Sequence, residues 1–109
     1  MGVLVTLRVG PVDWARFREA LSWLYAQRPP EWLSHRVYRS EADPRMVLVI
    51  DEFASHGAFH EFAGRVGAEF NRRAGTEGLA WQTEVWTAAD APPFPGSGDP
   101  GASFRSAGG

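Results

Sequence analysis

The chain has 109 residues, a formal net charge of −2 and 44% hydrophobic residues. That suits one folded domain and excludes a wholly disordered chain. The mild acidity argues against nucleic-acid binding. No apolar run reaches the roughly 18 residues of a membrane span. The absence of cysteine excludes disulfides, thiolate metal sites and cysteine nucleophiles.

The opening, Met1 to Arg8, carries no basic leader and no small-residue cleavage site, so a cytoplasmic location is the expectation. Val3, Val5, Leu7 and Val9 alternate with other residues and predict a first strand over Val3 to Val9. Gly10-Pro11 breaks it. Asp13 is placed to cap a helix, because its carboxylate can accept one of the free amide hydrogens there. Trp14, Phe17, Leu21, Leu24 and Tyr25 recur at helical spacing, and Pro29-Pro30 ends the helix.

Ser34 to Ser40 and Met46 to Phe53 read as two strands joined by the short polar run Glu41 to Arg45, a hairpin. Ser55 can cap a second helix whose buried face is Phe59, Phe62, Val66 and Phe70, with Ala63 beside them. Gly75 and Gly78 close it. Gly64 and Gly67, three apart, suggest close helix approach. Leu79 to Thr87 is the last strand, with Trp81 and Trp86 on opposite faces, one towards a pocket and one away. Residues 1–88 thus form the domain. From 89 to 109 the composition shifts to Pro, Gly, Ala and Ser, and this stretch reads as a disordered tail.

The order β-α-β-β-α-β is the ferredoxin-like α+β arrangement, an antiparallel sheet with both helices on one face. The second sheet face then needs cover. Leu48 and Ile50 face away from Val47 and Val49, and Trp23 lies off the core stripe of the first helix. A second copy of the same sheet is the economical cover, so a symmetric homodimer is expected.

The stretch from Trp32 through Ser40-Glu41-Ala42-Asp43-Pro44-Arg45 and on through Asp51-Glu52-Phe53-Ala54-Ser55 resembles a known segment. With the helix bearing Phe59 and Phe62, it is similar to the antibiotic biosynthesis monooxygenase superfamily, over roughly Val3 to Thr87. The resemblance implies a dimeric α/β barrel with a pocket between the sheet and the two helices of each subunit. It also implies activities such as oxidation of polyketide anthrones to quinones without metal or flavin, quinol oxidation and haem degradation. Carried over residue by residue, the anthrone oxygenases' asparagine falls at Val49, their tryptophan at Phe53, their helix tyrosine at Phe59 and their arginine at Arg73. Only the arginine is kept. The haem-degrading branch's tryptophan and histidine fall at Phe62 and Arg72, which argues against haem cleavage by that route.

His35 and Asp51 are the leading catalytic candidates. If the hairpin pairs symmetrically about its connection, Val37 lies opposite Val49 and His35 opposite Asp51, within contact distance across the strands. Val49 and Phe53 share the face of Asp51, and the resemblance points that face at the pocket. An imidazole beside a carboxylate can take a proton from a phenol or from a carbon next to a carbonyl. Arg73 extends the helix stripe and is placed to hold a substrate oxygen. Val49, Phe53, Phe59, Phe62 and Trp81 are the expected substrate-binding wall. His56 and His60 share a helix face, but no third ligand accompanies them, and neither a metal nor a cofactor is expected.

The reading is a small cofactor-independent monooxygenase-like protein, acting on an aromatic, polyketide-type or quinol substrate, as in secondary metabolism. The alternatives are an oxygen-independent cyclase or isomerase on the same scaffold, and a non-catalytic ligand-binding dimer.

Overall fold

The computed structural model describes residues 2–96. In chain order these form β1 (Val3–Val9), α1 (Trp14–Tyr25), β2 (Trp32–Arg39), β3 (Val47–Phe53), α2 (His56–Ala74) and β4 (Gln82–Trp86). The expected α+β, ferredoxin-like arrangement is what forms. One antiparallel sheet has the order β2-β3-β1-β4, and α1 and α2 pack on one another over one of its faces. Of the expected tail, residues 89–96 carry neither helix nor strand, and residues 97–109 lie outside the described residues.

Both helices begin where capping chemistry places them. Asp13 accepts from the Arg16 amide at 3.3 Å, and Ser55 accepts from the Ala58 amide at 3.0 Å. The end of α2 is set by Gly75, whose φ of 73° is the left-handed conformation that favours glycine. A side chain there would also meet the Arg16 guanidinium, 2.9 Å from the ideal Cβ position. That guanidinium donates to the carbonyls of Arg72 and Arg73, both at 2.9 Å, and so ties the start of α1 to the end of α2.

Three boundaries differ from the sequence reading by more than one residue. Helix α1 stops at Tyr25, and the chain unwinds through i→i+3 bonds from Ala26, Gln27 and Arg28 before Pro29-Pro30. The residue before a proline resists the helical conformation, so the helix gives way ahead of the pair. Strand β2 begins at Trp32 rather than Ser34. A bulge between Trp32 and Ser34 lets Trp32 pair with Phe53. Strand β4 begins only at Gln82, because a turn from Thr76 to Leu79 takes up the preceding residues.

The core forms two clusters on the helix-covered face. One is built around Phe17, Leu21, Val47 and Phe70, the other around Val5, Trp32, Phe53 and Phe62. Trp23 does not face away from this core as the helical phase suggested. It is half-buried against both clusters, with the Arg73 guanidinium 4.8 Å over its ring. The uncovered sheet face carries Thr6, Tyr38, Leu48, Ile50 and Trp86, with the Trp86 indole donating to Thr6 Oγ1 at 2.8 Å. Trp86 is 47% exposed and Tyr38 39%, so these apolar side chains lie open, on a face they share with Arg8, Arg36, Glu52 and Glu84.

Candidate functional site

A cavity of about 210 Å³ opens between the sheet and the two helices. Its floor is the helix-facing side of the sheet, with Leu7, His35, Val49, Asp51, Phe53 and Thr83. Its roof is Phe17, Leu21 and Leu24 from α1 and the face of α2 from Phe59 to Asn71. Trp81 closes the β4 side. The substrate wall expected from the sequence, Val49, Phe53, Phe59, Phe62 and Trp81, therefore lines one space.

His35 and Asp51 lie directly opposite one another in the β2–β3 ladder, as hairpin symmetry predicted. His35 Nδ1 is 2.5 Å from Asp51 Oδ1. The same oxygen accepts the Trp32 indole N–H at 3.1 Å. A carboxylate in an apolar wall is costly unless hydrogen-bonded, and these two donors supply the bonds. Asp51 is 8% exposed, so water contributes little.

The partners also fix the tautomer of His35. An ionised carboxylate only accepts, so Nδ1 carries the proton and donates it to Asp51. The lone pair is then on Nε2, which is buried and makes no hydrogen bond among the described residues. The ring itself is held edge-on by Tyr25 and Trp32, each with its centroid 5.1 Å away. His35 thus has the arrangement of an oriented base: one nitrogen anchored to a carboxylate, the other vacant. Tyr25 is held in its neutral form above the usual phenol range, first by burial and second by the Asp51 carboxylate. His35 also borders a second, more polar recess shared with Tyr25, Arg28, Trp32 and Ser34.

Arg73 is the one proposed catalytic residue that the fold does not bring to the cavity. The stripe of Phe59, Phe62, Val66 and Phe70 continues into Ala74, which is buried. Arg73 turns one position aside, bonds Glu69 at 2.7 Å and covers Trp23. It clamps the two helices. Arg72 also pairs with Glu69, whose carboxyl is held below its usual range by that hydrogen bond, despite an opposing desolvation, and further by Arg73. His56 and His60 stack at 4.5 Å on the exposed side of α2. Among the described residues no three His, Cys, Asp or Glu side chains cluster as metal ligands.

Three contributors were not singled out as site residues from the sequence. Trp32 anchors Asp51 and stacks on Phe53 at 6.1 Å with the rings almost parallel. Asn71 lies in the cavity wall, where its Oδ1 accepts from the Trp81 indole at 3.1 Å and the Thr76 hydroxyl at 2.7 Å. Gly67 lines the same wall, and a Cβ there would meet nothing within 4 Å. It leaves room in the cavity rather than drawing the helices together. The helical row Ala63, Gly67, Asn71 was a signal available in the sequence.

No family model and no curated protein matches the chain. Solved structures do. SnoaB of Streptomyces nogalater, a cofactor-independent oxygenase, is 20% identical and superposes with a TM-score of 0.64, over 85% of this chain and 97% of that one. A Caulobacter crescentus protein bearing the antibiotic biosynthesis monooxygenase name is 26% identical, with a TM-score of 0.62 over 82% of this chain and 89% of its own. A Deinococcus radiodurans protein of the same name is 13% identical, with a TM-score of 0.62 over 86% and 99%. The resemblance to the antibiotic biosynthesis monooxygenase superfamily seen in the hairpin and second helix therefore extends to the whole fold. Among the described residues no helix is long and apolar enough to cross a membrane.

Proposed function

We propose that the protein is a small oxygenase acting on an aromatic substrate without a cofactor, with His35 as its general base. The observation that carries this reading is the His35 ring in the wall of an apolar cavity, its Nδ1 anchored to Asp51 and its Nε2 unpaired. The cofactor-independent oxygenase SnoaB, built on the same fold, supports the reaction class.

In this mechanism a substrate lies flat between Phe53, Phe62 and Trp81 and presents an acidic C–H or O–H to His35 Nε2. His35 takes the proton. Asp51 holds the imidazole in the productive tautomer and stabilises the imidazolium that forms. The carbanion or phenolate left behind is electron-rich enough to reduce dioxygen. For a methylene flanked by aromatic rings, the carbon gives up four electrons. One oxygen atom becomes the new carbonyl, and the other leaves as water with the two methylene hydrogens. A hydroquinone instead gives up two electrons and two protons, forming a quinone and hydrogen peroxide. The Asp51 carboxylate and the apolar wall replace the asparagine and tryptophan of the anthrone oxygenases, whose positions here hold Val49 and Phe53.

The same reading includes a homodimer. The open face with Tyr38, Leu48, Ile50 and Trp86 would be covered by its own copy, which leaves the cavity of each subunit intact on the opposite side of the sheet. A role in secondary metabolism follows from the substrate type.

The test is oxygen uptake by the purified protein with anthrone and a panel of hydroquinones, after subtraction of spontaneous oxidation. Protein-dependent uptake, lost in His35→Gln by a factor of roughly 100 or more, is the expected result. No uptake above the spontaneous rate across the panel would overturn the oxygenase reading.

A further inference from the structure

Asn71 carries a polar function that the mechanism above leaves unused. Its side-chain oxygen accepts from both Trp81 Nε1 and Thr76 Oγ1. An indole N–H can only donate, so the amide cannot be flipped: the oxygen faces Trp81 and the NH₂ group faces the other way. Two donors occupy both lone pairs of that oxygen. Among the described residues the amide nitrogen makes no hydrogen bond, although Asn71 lies in the wall of a largely apolar cavity. Thr76 itself is 1% exposed, so the arrangement is held from behind by a buried hydroxyl.

The position matters as much as the chemistry. Trp81 leads into β4, and His35 sits on β2, at opposite edges of the four-stranded sheet. Three strand intervals separate these edges, roughly 14 Å. The cavity of about 210 Å³ also exceeds the roughly 150 Å³ that accommodates a benzene. Its polar groups are therefore the oriented base with Asp51 towards one edge, and the oriented Asn71 donor with the Thr83 hydroxyl towards the other, with aromatic side chains between.

We propose that Asn71 Nδ2 is a fixed hydrogen-bond donor of this site, and that the ligand is a fused-ring compound presenting a carbonyl or phenolate oxygen to it, at the end remote from the proton removed by His35. The inference rests on the base role of His35 given above. When that proton leaves a carbon conjugated with the distant oxygen, negative charge flows onto the oxygen, where a donor that needs no reorientation is already in place. The proton goes to His35, the electron pair is delocalised onto the oxygen at Asn71, and no bond to the protein forms. Asn71 thereby selects ligands carrying an acceptor at that end and assists their ionisation.

The experiment compares two ligands of nearly one shape, anthrone and 9,10-dihydroanthracene, in which a methylene replaces the carbonyl. Binding is followed anaerobically by quenching of tryptophan fluorescence. The wild-type protein is expected to prefer anthrone by about tenfold, the worth of one hydrogen bond. Asn71→Asp keeps an acceptor for Trp81 and Thr76 but turns the donor into an acceptor, and the preference should vanish. Asn71→Leu, checked for folding by circular dichroism, should behave alike. The ratio of the two affinities is read, so a general weakening of either variant does not affect the outcome. A preference unchanged in Asn71→Asp would overturn the proposal, as would failure of the wild type to bind anthrone. His35→Gln should keep the anthrone preference. An Asn71-dependent preference without oxygen uptake would leave this inference standing and remove the oxygenase reading.

Discussion

The hydrogen bond from Trp32 to Asp51 is expected to hold the acidic half of the site in place, and its worth can be worked out. Trp32→Phe keeps an aromatic ring against Phe53 but deletes the indole N–H that lies 3.1 Å from Asp51 Oδ1. Hydrogen bonds to charged groups contribute about 1.5–3 kcal/mol. His35 remains as a second donor to the same oxygen, which places the loss at the lower end, about 1.5 kcal/mol. Trp32 is only 2% exposed, so the smaller ring also leaves a void that costs stability by itself. A double-mutant cycle with Asp51→Leu separates the two effects, because the void is common to both backgrounds and the hydrogen bond is not. The four proteins are unfolded in urea, and the coupling energy is taken from midpoints at constant slope. A coupling of about 1.5 kcal/mol is expected. Coupling below about 0.3 kcal/mol, the ordinary scatter of additivity, would show that the indole does not restrain the carboxylate.

Three further outcomes follow from the same geometry. Tyr25 should ionise above the ordinary tyrosine value in an ultraviolet titration of a Tyr38→Phe background, chiefly because of burial. Asp51→Asn should lower that titration without restoring it fully, since only the smaller, coulombic cause is removed. The sign for stability is that of a raised acid: the contribution is present below the unfolded tyrosine value and is lost as pH rises through the folded one. An unchanged titration in Asp51→Asn would separate the two groups. Gly67→Ala, in mid-helix with open space before its Cβ, should raise stability by about 1 kcal/mol, whereas Gly67→Leu should fold and lose anthrone binding; undiminished binding by Gly67→Leu would place the ligand elsewhere. Sedimentation should show a dimer, and Ile50→Asp on the open face should give a folded monomer. A monomeric wild type would refute the pairing of sheets.

Much of this was legible in the sequence because local rules and global fold agree. The alternation of Val3 to Val9 places β1 without error, and Ser55 and Gly75 bound α2 by capping chemistry. The register that joins His35 to Asp51 follows from the symmetry of a hairpin around a short connection. The failures have equally local causes. Trp32 would share a face with Ser34 in a regular strand, but the bulge between them turns it to the side of Asp51, and nothing in the alternation announces a bulge. Arg73 and Ala74 both extend the apolar stripe of α2, at three and four residues from Phe70. The smaller apolar residue took the buried place, and the arginine found the face of Trp23 instead. Asn71 was overlooked because periodicity arguments count apolar residues, and a polar group on the buried row is invisible to them.

The abundance of aromatic residues has a specific use inside the subunit. Of five tryptophans, only Trp86 reaches the open sheet face. Trp14 and Trp23 take the guanidinium groups of Arg39 and Arg73. The remaining two, Trp32 and Trp81, each donate an indole N–H to a side-chain oxygen in the cavity wall, that of Asp51 and that of Asn71. Because an indole is a donor alone, each contact keeps its partner oxygen as the acceptor. The Trp32 indole adds a second hydrogen bond to the Asp51 oxygen beside that of His35; Asn71 is kept with its oxygen turned to Trp81, so its NH₂ is the free function. Large, stiff side chains with one donor apiece can thus orient a base and a hydrogen-bond donor within an apolar space that has few polar neighbours to do so. On this argument, replacing either tryptophan by phenylalanine keeps an aromatic ring in place, at the cost of a small void, and loosens the chemistry of the cavity.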